Sequence, residues 1–251
     1  VIDGTPNDEE REELEMAIDL ILDRAEKECG LKRCHTRRMR KLIQKRYNDL
    51  FRMKLGADPP ARLPPMEIHL IDGAEPPGKH GRRRHGPEQK EAAIKQLEAL
   101  LAMGIVRYSD TPWTSPIIMV RKPKGGWRLA FDARYLNKWT KKTAWTSQRI
   151  PEMLQLLQGA TVFCSFDFLK GFWQLALAEE SRQYMGLDTP LGNLEFTRAP
   201  MGAKNTGHHF QMCIQQVFND MLNKGMLNLS DDVLLYAKST EEMFELLEKF
   251  L

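Results

Sequence analysis

Three acidic residues carry the strongest chemical suggestion in this chain. Asp167 ends the apolar run TVFCSFDF, and the adjacent pair Asp231 and Asp232 interrupts NLSDDVLLYA. Adjacent like charges between strand-like apolar flanks repel and lose hydration, so they need compensation. A strand end and a hairpin tip 64 positions apart can lie side by side in one antiparallel sheet. Three carboxylates gathered in that way call for a cation, and hard oxygen ligands select Mg²⁺ or Mn²⁺. Two such ions about 4 Å apart stabilise the attacking and leaving oxygens of phosphoryl transfer. A plain polar turn is the other reading of the pair, and spacing alone does not choose between them.

A second group of residues suits the same chemistry. Lys122 and Arg128 flank the glycine loop of PIIMVRKPKGGWRLAFD. Turned to one side, they would grip phosphates, lysine as a point charge and arginine as a fork. Taken alone, they would read as a solvated hairpin turn.

The elements that must hold these residues follow from periodicity. The hairpin signal places strands at Ile117–Arg121 and Trp127–Asp132, and TVFCSFDF reads as a further strand. NLSDDVLLYA is a hairpin, and the segment after Asp167 supplies an irregular turn and another hairpin. PEQKEAAIKQLEALLAMG reads as a helix with Pro87 in its first turn and Gly104 as its stop. RIPEMLQLLQGA is a short helix, NTGHHFQMCIQQVFNDMLNKG a longer one, and STEEMFELLEKFL begins a last one. MEIHLIDG alternates like a strand. Residues 8–54 form two helices, the second over HTRRMRKLIQKRYNDLFRMKL with Met39, Leu42, Ile43, Tyr47 and Phe51 on one face. The proline-rich 56–65 stretch reads as a linker. Strands and helices interleave without a regular βαβ rhythm, so the class is α+β with an antiparallel sheet.

Composition sets the frame. Of 251 residues, 42% are hydrophobic and 28% charged, an ordinary globular balance with enough chain for a real core. No apolar run approaches a membrane span, so no membrane partner is expected. Four irregularly spaced cysteines fit a reducing, intracellular setting rather than a disulfide scaffold. The start at Val1 reads as a piece of something longer. The net charge of +3 hides blocks: residues 3–28 hold 11 acids and 3 bases, residues 32–54 hold 10 bases and 1 acid. Residues 79–142 hold 15 bases and 5 acids, which points to a polyanionic partner. For the first two blocks, solvated helix faces are the alternative.

In order, GIVRYSDTPWTSPIIMVRKPKGGWRLAFDARYLN, RIPEMLQLLQGATVFCSFDFLKGFWQLAL, LEFTRAPMGAKNTGHHFQ and LSDDVLLYA resemble a reverse transcriptase of gypsy-type long-terminal-repeat retrotransposons. The resemblance covers residues 66–251 and implies the fingers and partial palm of a right-hand polymerase. An antiparallel palm sheet would pack on helices, after a helical segment over 1–55 similar to the connector between protease and polymerase. It implies that Asp167, Asp231 and Asp232 are catalytic and hold two Mg²⁺ (or Mn²⁺). Lys122 and Arg128 match residues that hold the incoming deoxynucleoside triphosphate. Phe172 matches the aromatic that excludes a ribose 2′-hydroxyl, though one sequence would equally allow a core aromatic. Met201 and Gly202 match the nucleotide-side loop, Met201 standing where an aromatic is usual, and Lys204 lies near base and template. Asp132, Arg134 and Asn137 match the strand after the fingers hairpin, structural or template-positioning. The implied partners are an RNA/DNA template-primer and deoxynucleoside triphosphates, and the setting is the cytoplasm or virus-like particles. Oligomeric state is not readable.

Departures accompany the match. Leu229 stands where the family has tyrosine, LKGF displaces a lysine by one position, and His208 and His209 replace small residues. None of these removes an acid. No thumb or RNase H motif follows, which implies weak synthesis by this stretch alone. The competing function is a diverged nucleic-acid-binding protein that has lost the chemistry. CGLKRCH (Cys29, Cys34, His35) lacks the second paired half of a zinc site. GRRRHG would touch nucleic-acid backbone or form a solvated loop.

Overall fold

The computed structural model describes residues 7–46, 50–78, 83–123, 125–144 and 149–251. The chain forms two compact units, Ala57–Ser147 with Lys170–Val217, and Asp3–Gly56 with Gln148–Leu169 and Phe218–Leu251. The helices are α1 (Asp8–Cys29), α2 (Arg33–Arg46), α3 (Pro87–Ala102), α4 (Arg134–Trp139), α5 (Ile150–Leu156), α6 (Glu179–Arg182), α7 (Thr206–Val217) and α8 (Thr240–Phe250). The strands are β1 (Val106–Tyr108), β2 (Thr114–Arg121), β3 (Trp127–Phe131), β4 (Val162–Asp167), β5 (Gly186–Thr189), β6 (Gly192–Phe196), β7 (Met226–Leu229) and β8 (Asp232–Ala237). The architecture is α+β, as expected. Among the described residues, no helix is long and apolar enough to cross a membrane.

The first unit is built on a five-stranded sheet in the order β1-β6-β5-β2-β3. Its pairings are antiparallel except β2 with β5, which run parallel. Gly186 opens β5 where a Cβ would come within 2.6 Å of the Trp113 carbonyl oxygen, so a side chain there would force the two strands apart. Helix α3 buries Ala93, Leu97 and Leu100 and packs against β1 and β3. From α3, Gln96 donates to the Trp127 carbonyl and accepts from the Leu129 amide, satisfying backbone groups that β3 would otherwise leave open at the sheet edge.

The second unit holds the sheet β4-β8-β7, antiparallel throughout. Val233, Leu235 and Ala237 are buried on one face, alongside Met243, Phe244 and Leu247 of α8. The Phe166 and Phe250 rings lie 4.9 Å apart in the same core. Helices α1 and α2 belong to this unit rather than standing apart. Arg38 of α2 reaches Glu241 at 2.8 Å and covers the Phe244 ring at 4.2 Å. The acidic α1 and basic α2 also meet directly, through Arg40 with Asp19 and Thr36 with Glu26.

Four local expectations need correction. The strand over 66–73 is extended chain with isolated bridges, Met66 to Leu177 and Leu70 to Thr140. Its backbone partners are scattered: the Ile68 amide donates to the Ser181 hydroxyl and the Ile71 amide to the Trp139 carbonyl. Helix α7 ends at Val217, not near Gly225, because Phe218 turns away to stack on Phe250 at 5.1 Å. Asn223 then takes a left-handed φ of 63°. The second N-terminal helix does not continue to Leu55: residues 50–54 are non-helical, and Lys54 folds back to Glu10 of α1 at 3.3 Å. Tyr47 lies outside the described residues. Finally, Arg134 and Asn137 sit on helix α4, not on a continuing strand.

The 56–65 stretch has no regular structure, but it is pinned along the first unit. The Ala61 amide donates to Gln174, the Met66 amide to Ala176, and Arg198 reaches the Asp58 carbonyl at 2.8 Å.

Candidate active site

The three acids meet at one end of the β4-β8-β7 sheet. Asp167, the last residue of β4, is in register with Asp232, the first of β8. The Phe168 amide donates to the Asp231 carbonyl at 3.2 Å, so residues 168 and 231 form a hydrogen-bonded pair. Alternation makes Asp167 and Asp232 a non-hydrogen-bonded pair, the kind whose side chains lie closest on a common face. That face is the open one: Phe163, Ser165 and Asp167 alternate outward along β4. Asp231 is half-buried in the two-residue turn, and Asp232 is exposed.

The turn itself is tight. Ser230 holds a φ of 60°, a left-handed backbone at the first turn position where glycine is usual. Asn228 braces it, donating through Nδ2 to the Ser230 carbonyl at 2.9 Å and the Asp232 carbonyl at 3.1 Å. Leu229 lies in register with Asp232 and is 47% exposed, so a leucine side chain borders the acids on the open face.

The donor set is wholly oxygen and anionic, which suits a hard divalent cation. Neither Asp231 nor Asp232 has a side-chain hydrogen bond or ion pair among the described residues. As the side chains stand, no group of three or more His, Cys, Asp or Glu among the described residues is arranged to hold a metal. The register aligns Asp167 with Asp232, and the adjoining turn supplies Asp231. The same finding covers Cys29, Cys34, His35, His208 and His209. His80 lies outside the described residues.

In the other unit, Val120 is in register with Arg128, and the Lys122 amide donates to the Gly126 carbonyl at 3.0 Å. Continued alternation past the end of β2 puts Lys122 on the face of Val120 and Arg128, as the phosphate-gripping reading requires. Both cations are exposed.

Asp132 is anchored within the protein, its side chain only 10% accessible. Arg134 forks onto it at 2.8 and 2.7 Å, and Arg83 adds a bond at 2.6 Å. Hydrogen bonding from Arg134 is the main cause holding its carboxyl down at about 2. Asn137 donates to the Gly202 carbonyl at 2.9 Å and accepts from the Lys204 amide at 2.8 Å. The Lys204 ammonium donates to the Asn137 and Thr140 carbonyls, at 3.1 and 2.7 Å, at the C-terminal end of α4. These residues clamp the Gly202 loop to α4, with Gly202 at φ 102° and Met201 61% exposed.

Phe172 lies in the 3-10 turn Gly171–Gln174, half-buried, with its ring 5.4 Å from Phe210 at 85°. Arg83 and Phe210 are the neighbours that sequence reading passed over. Arg83 lies in GRRRHG, read as a nucleic-acid backbone contact or a solvated loop, and Phe210 looks like any core aromatic of a helix.

Comparison with known proteins identifies the family. The reverse transcriptase (RNA-dependent DNA polymerase) family matches residues 120–251. The enzymatic polyprotein of cauliflower mosaic virus (strain D/H) is 29% identical over 163 residues, covering 63% of this chain and 24% of that protein. The retrovirus-related Pol polyprotein from transposon 297 of Drosophila melanogaster is 31% identical over 152 residues, 59% of this chain and 14% of its own length. The chain thus spans a quarter or less of the curated relatives it matches. Among solved structures, a prototype foamy virus protease-reverse transcriptase superposes with a TM-score of 0.82 at 22% identity, over 94% of this chain and 31% of that one. The foamy viral protease-reverse transcriptase in complex with RNA/DNA hybrid gives 0.78 at 19%, over 94% and 31%. With the family matching more than half of its length and a reverse-transcriptase fold, the chain belongs to the reverse transcriptase family.

Proposed function

We propose that this chain is the fingers and partial palm of an RNA-directed DNA polymerase from a gypsy-type retrotransposon polyprotein. Residues 66–251 would form that part, preceded by a connector over 1–55 and the 56–65 stretch. The observation that carries the reading is the register of Asp167 with Asp232, with Asp231 in the adjoining turn, in a chain of this family. The partners in this reading are an RNA or DNA template-primer and deoxynucleoside triphosphates. The foamy viral relative with RNA/DNA hybrid supports the nucleic-acid half.

Asp167, Asp231 and Asp232 would hold Mg²⁺ or Mn²⁺, two per site. Such ions, when bound, supply charge neutralisation for the triphosphate and acidify the primer 3′-hydroxyl. The chain's own residues do the rest. The carboxylates of Asp167, Asp231 and Asp232 would fix that positive charge at one end of the β4-β8-β7 sheet. Lys122 and Arg128 bind the triphosphate as point charge and fork. Phe172 blocks the 2′-oxygen of a ribonucleotide sterically. Asp132, Arg134, Asn137 and Lys204 hold the Gly202 loop and α4 in one shape, so template contacts there would meet a rigid surface.

The test is addition of one deoxynucleotide to a DNA primer on an RNA template with Mg²⁺. Extension that is lost in Asp231→Asn is the expected result. Extension unchanged in Asp231→Asn would overturn the assignment, and template-primer binding without extension would favour a binding protein that has lost the chemistry.

A further inference from the structure

Steric selection of a sugar works only if the selecting ring cannot move aside, because one oxygen atom decides the outcome. Phe172 is poorly placed to hold itself still. It sits in a four-residue 3-10 turn, Gly171–Gln174, entered through Lys170 in a left-handed conformation at φ 50°, and it is only half-buried. What backs it is Phe210, a residue of α7 that is 3% exposed. The two rings lie 5.4 Å apart at 85°, an edge-to-face arrangement that the ring quadrupoles favour and that constrains both position and tilt.

Phe210 is itself held from both sides of its helix turn. At the start of α7, the Thr206 hydroxyl donates to the Pro200 carbonyl at 2.9 Å. His209 Nε2 donates to the Pro64 carbonyl at 3.0 Å, and burial pushes that imidazole below its ordinary range. Two residues beyond Pro64, in the strap formed by residues 61–66, the Met66 amide donates to Ala176 at 2.8 Å and the Ala178 amide donates to Met66 at 2.9 Å. The Ala61 amide closes onto Gln174 at 2.7 Å, and the Leu175 amide onto the Phe172 carbonyl at 3.1 Å. Hydrogen bonds at both ends of the proline-rich strap therefore tie α7 to the turn that carries Phe172. The Phe172–Phe210 contact joins the two directly.

We propose that Phe210 is a positioning residue for sugar selection: it fixes the pose of the Phe172 ring, and the strap over residues 61–66 fixes Phe210. The inference rests on Phe172 being the sugar-selecting residue. Losing the backing ring loosens Phe172 without removing it, so a ribonucleotide gains affinity while a deoxynucleotide keeps its own.

The experiment measures dissociation constants of one deoxynucleoside triphosphate and the matching ribonucleoside triphosphate. They bind to the chain with Mg²⁺ and a template-primer whose dideoxy end prevents chemistry. Phe210→Leu, which keeps apolar volume but removes the ring, is expected to lower the ribo-to-deoxy ratio about 3- to 10-fold, with deoxynucleotide affinity within about 2-fold of the original. Phe210→Tyr, which keeps the ring, is expected to retain the ratio. Phe210→Met replaces the leucine variant if that one does not melt cooperatively. Phe172→Ala separates the two claims. If it lowers the ratio and Phe210→Leu does not, the positioning role falls and the selecting role of Phe172 stands. If neither changes the ratio, the selecting role falls and takes the inference with it. Equal weakening of both nucleotides by Phe210→Leu would make Phe210 a core residue only. Absence of any nucleotide binding by the unaltered chain would overturn both.

Discussion

Asp167 and Asp232 face each other across a non-hydrogen-bonded antiparallel pair, two carboxylates on the open face of one sheet. Like charges directly opposite in a sheet are destabilising, by roughly 0.2–1 kcal/mol. Asp232→Asn is therefore expected to stabilise the chain by about 0.5 kcal/mol in chelator. It should also shrink the rise in melting temperature expected of the original chain with Mg²⁺. Thermal melts with and without Mg²⁺ measure both. An Asp232→Asn variant less stable in chelator would mean that the pair is not under repulsion.

The turn between β7 and β8 carries a second cost. Ser230 adopts a left-handed φ of 60° without being glycine, and an L side chain in that region costs about 1–2 kcal/mol. Ser230→Gly is expected to raise stability by about 1 kcal/mol, after the entropy that glycine adds to the unfolded chain. Urea denaturation would show the midpoint moving up at constant slope.

Acid sensitivity should concentrate at Asp132. Hydrogen bonds from Arg134 come first among the causes holding its carboxyl at about 2, well below the ordinary carboxylate value. A depressed folded-state value stabilises the native state above the unfolded value, and that stabilisation is lost as pH falls through the folded one. The window therefore runs from about pH 4 down to about pH 2. Asp132→Asn is expected to cost on the order of 1 kcal/mol at neutral pH, a figure held low because Arg134 is largely solvated. The same variant should flatten the stability profile between those pH values.

Glu195 is the buried acid of the first unit, its side chain 7% accessible, held by Arg107 at 2.7 Å and the Ser109 hydroxyl at 2.6 Å. Removing the cation strands a charge in the interior, a change that costs about 3–5 kcal/mol. Arg107→Met should cost well below that range, because Arg107 is 45% accessible and water screens the pair, and because Ser109 still covers part of the charge. Arg107→Met with Glu195→Met should recover most of it. Chemical denaturation of the two variants distinguishes an essential pair from a replaceable one.

The strands and hairpins that carry the candidate residues are readable in the sequence. The β2–β3 and β7–β8 hairpins and the strand ending at Asp167 are local events, written in apolar alternation and turn residues. The α3 limits follow from Pro87 and Gly104 in the same way. What escaped depends on distant partners. Helix α4 is six residues long, and its C-terminal end and the Gly202 loop are joined by Lys204, more than sixty positions away from Asn137. MEIHLIDG alternates as a strand should, yet it finds scattered partners rather than one neighbour. The place of α1 and α2 beside α8 rests on Arg38 and Glu241, 203 residues apart. The pairing of Phe172 with Phe210 leaves no mark in either local sequence. Local periodicity places elements, whereas the neighbours of each element are set by tertiary contacts that a single sequence does not display.

The central claim is that Asp167, Asp231 and Asp232 form one divalent-cation site. Titration with Mn²⁺, followed by the electron paramagnetic resonance signal of the free ion, tests it without relying on polymerisation. Saturable Mn²⁺ binding that Mg²⁺ displaces is expected, weakened about tenfold or more by Asp167→Asn, Asp231→Asn or Asp232→Asn taken singly, because each removes a ligand charge. Mn²⁺ binding that is unchanged when all three are replaced by asparagine would contradict it.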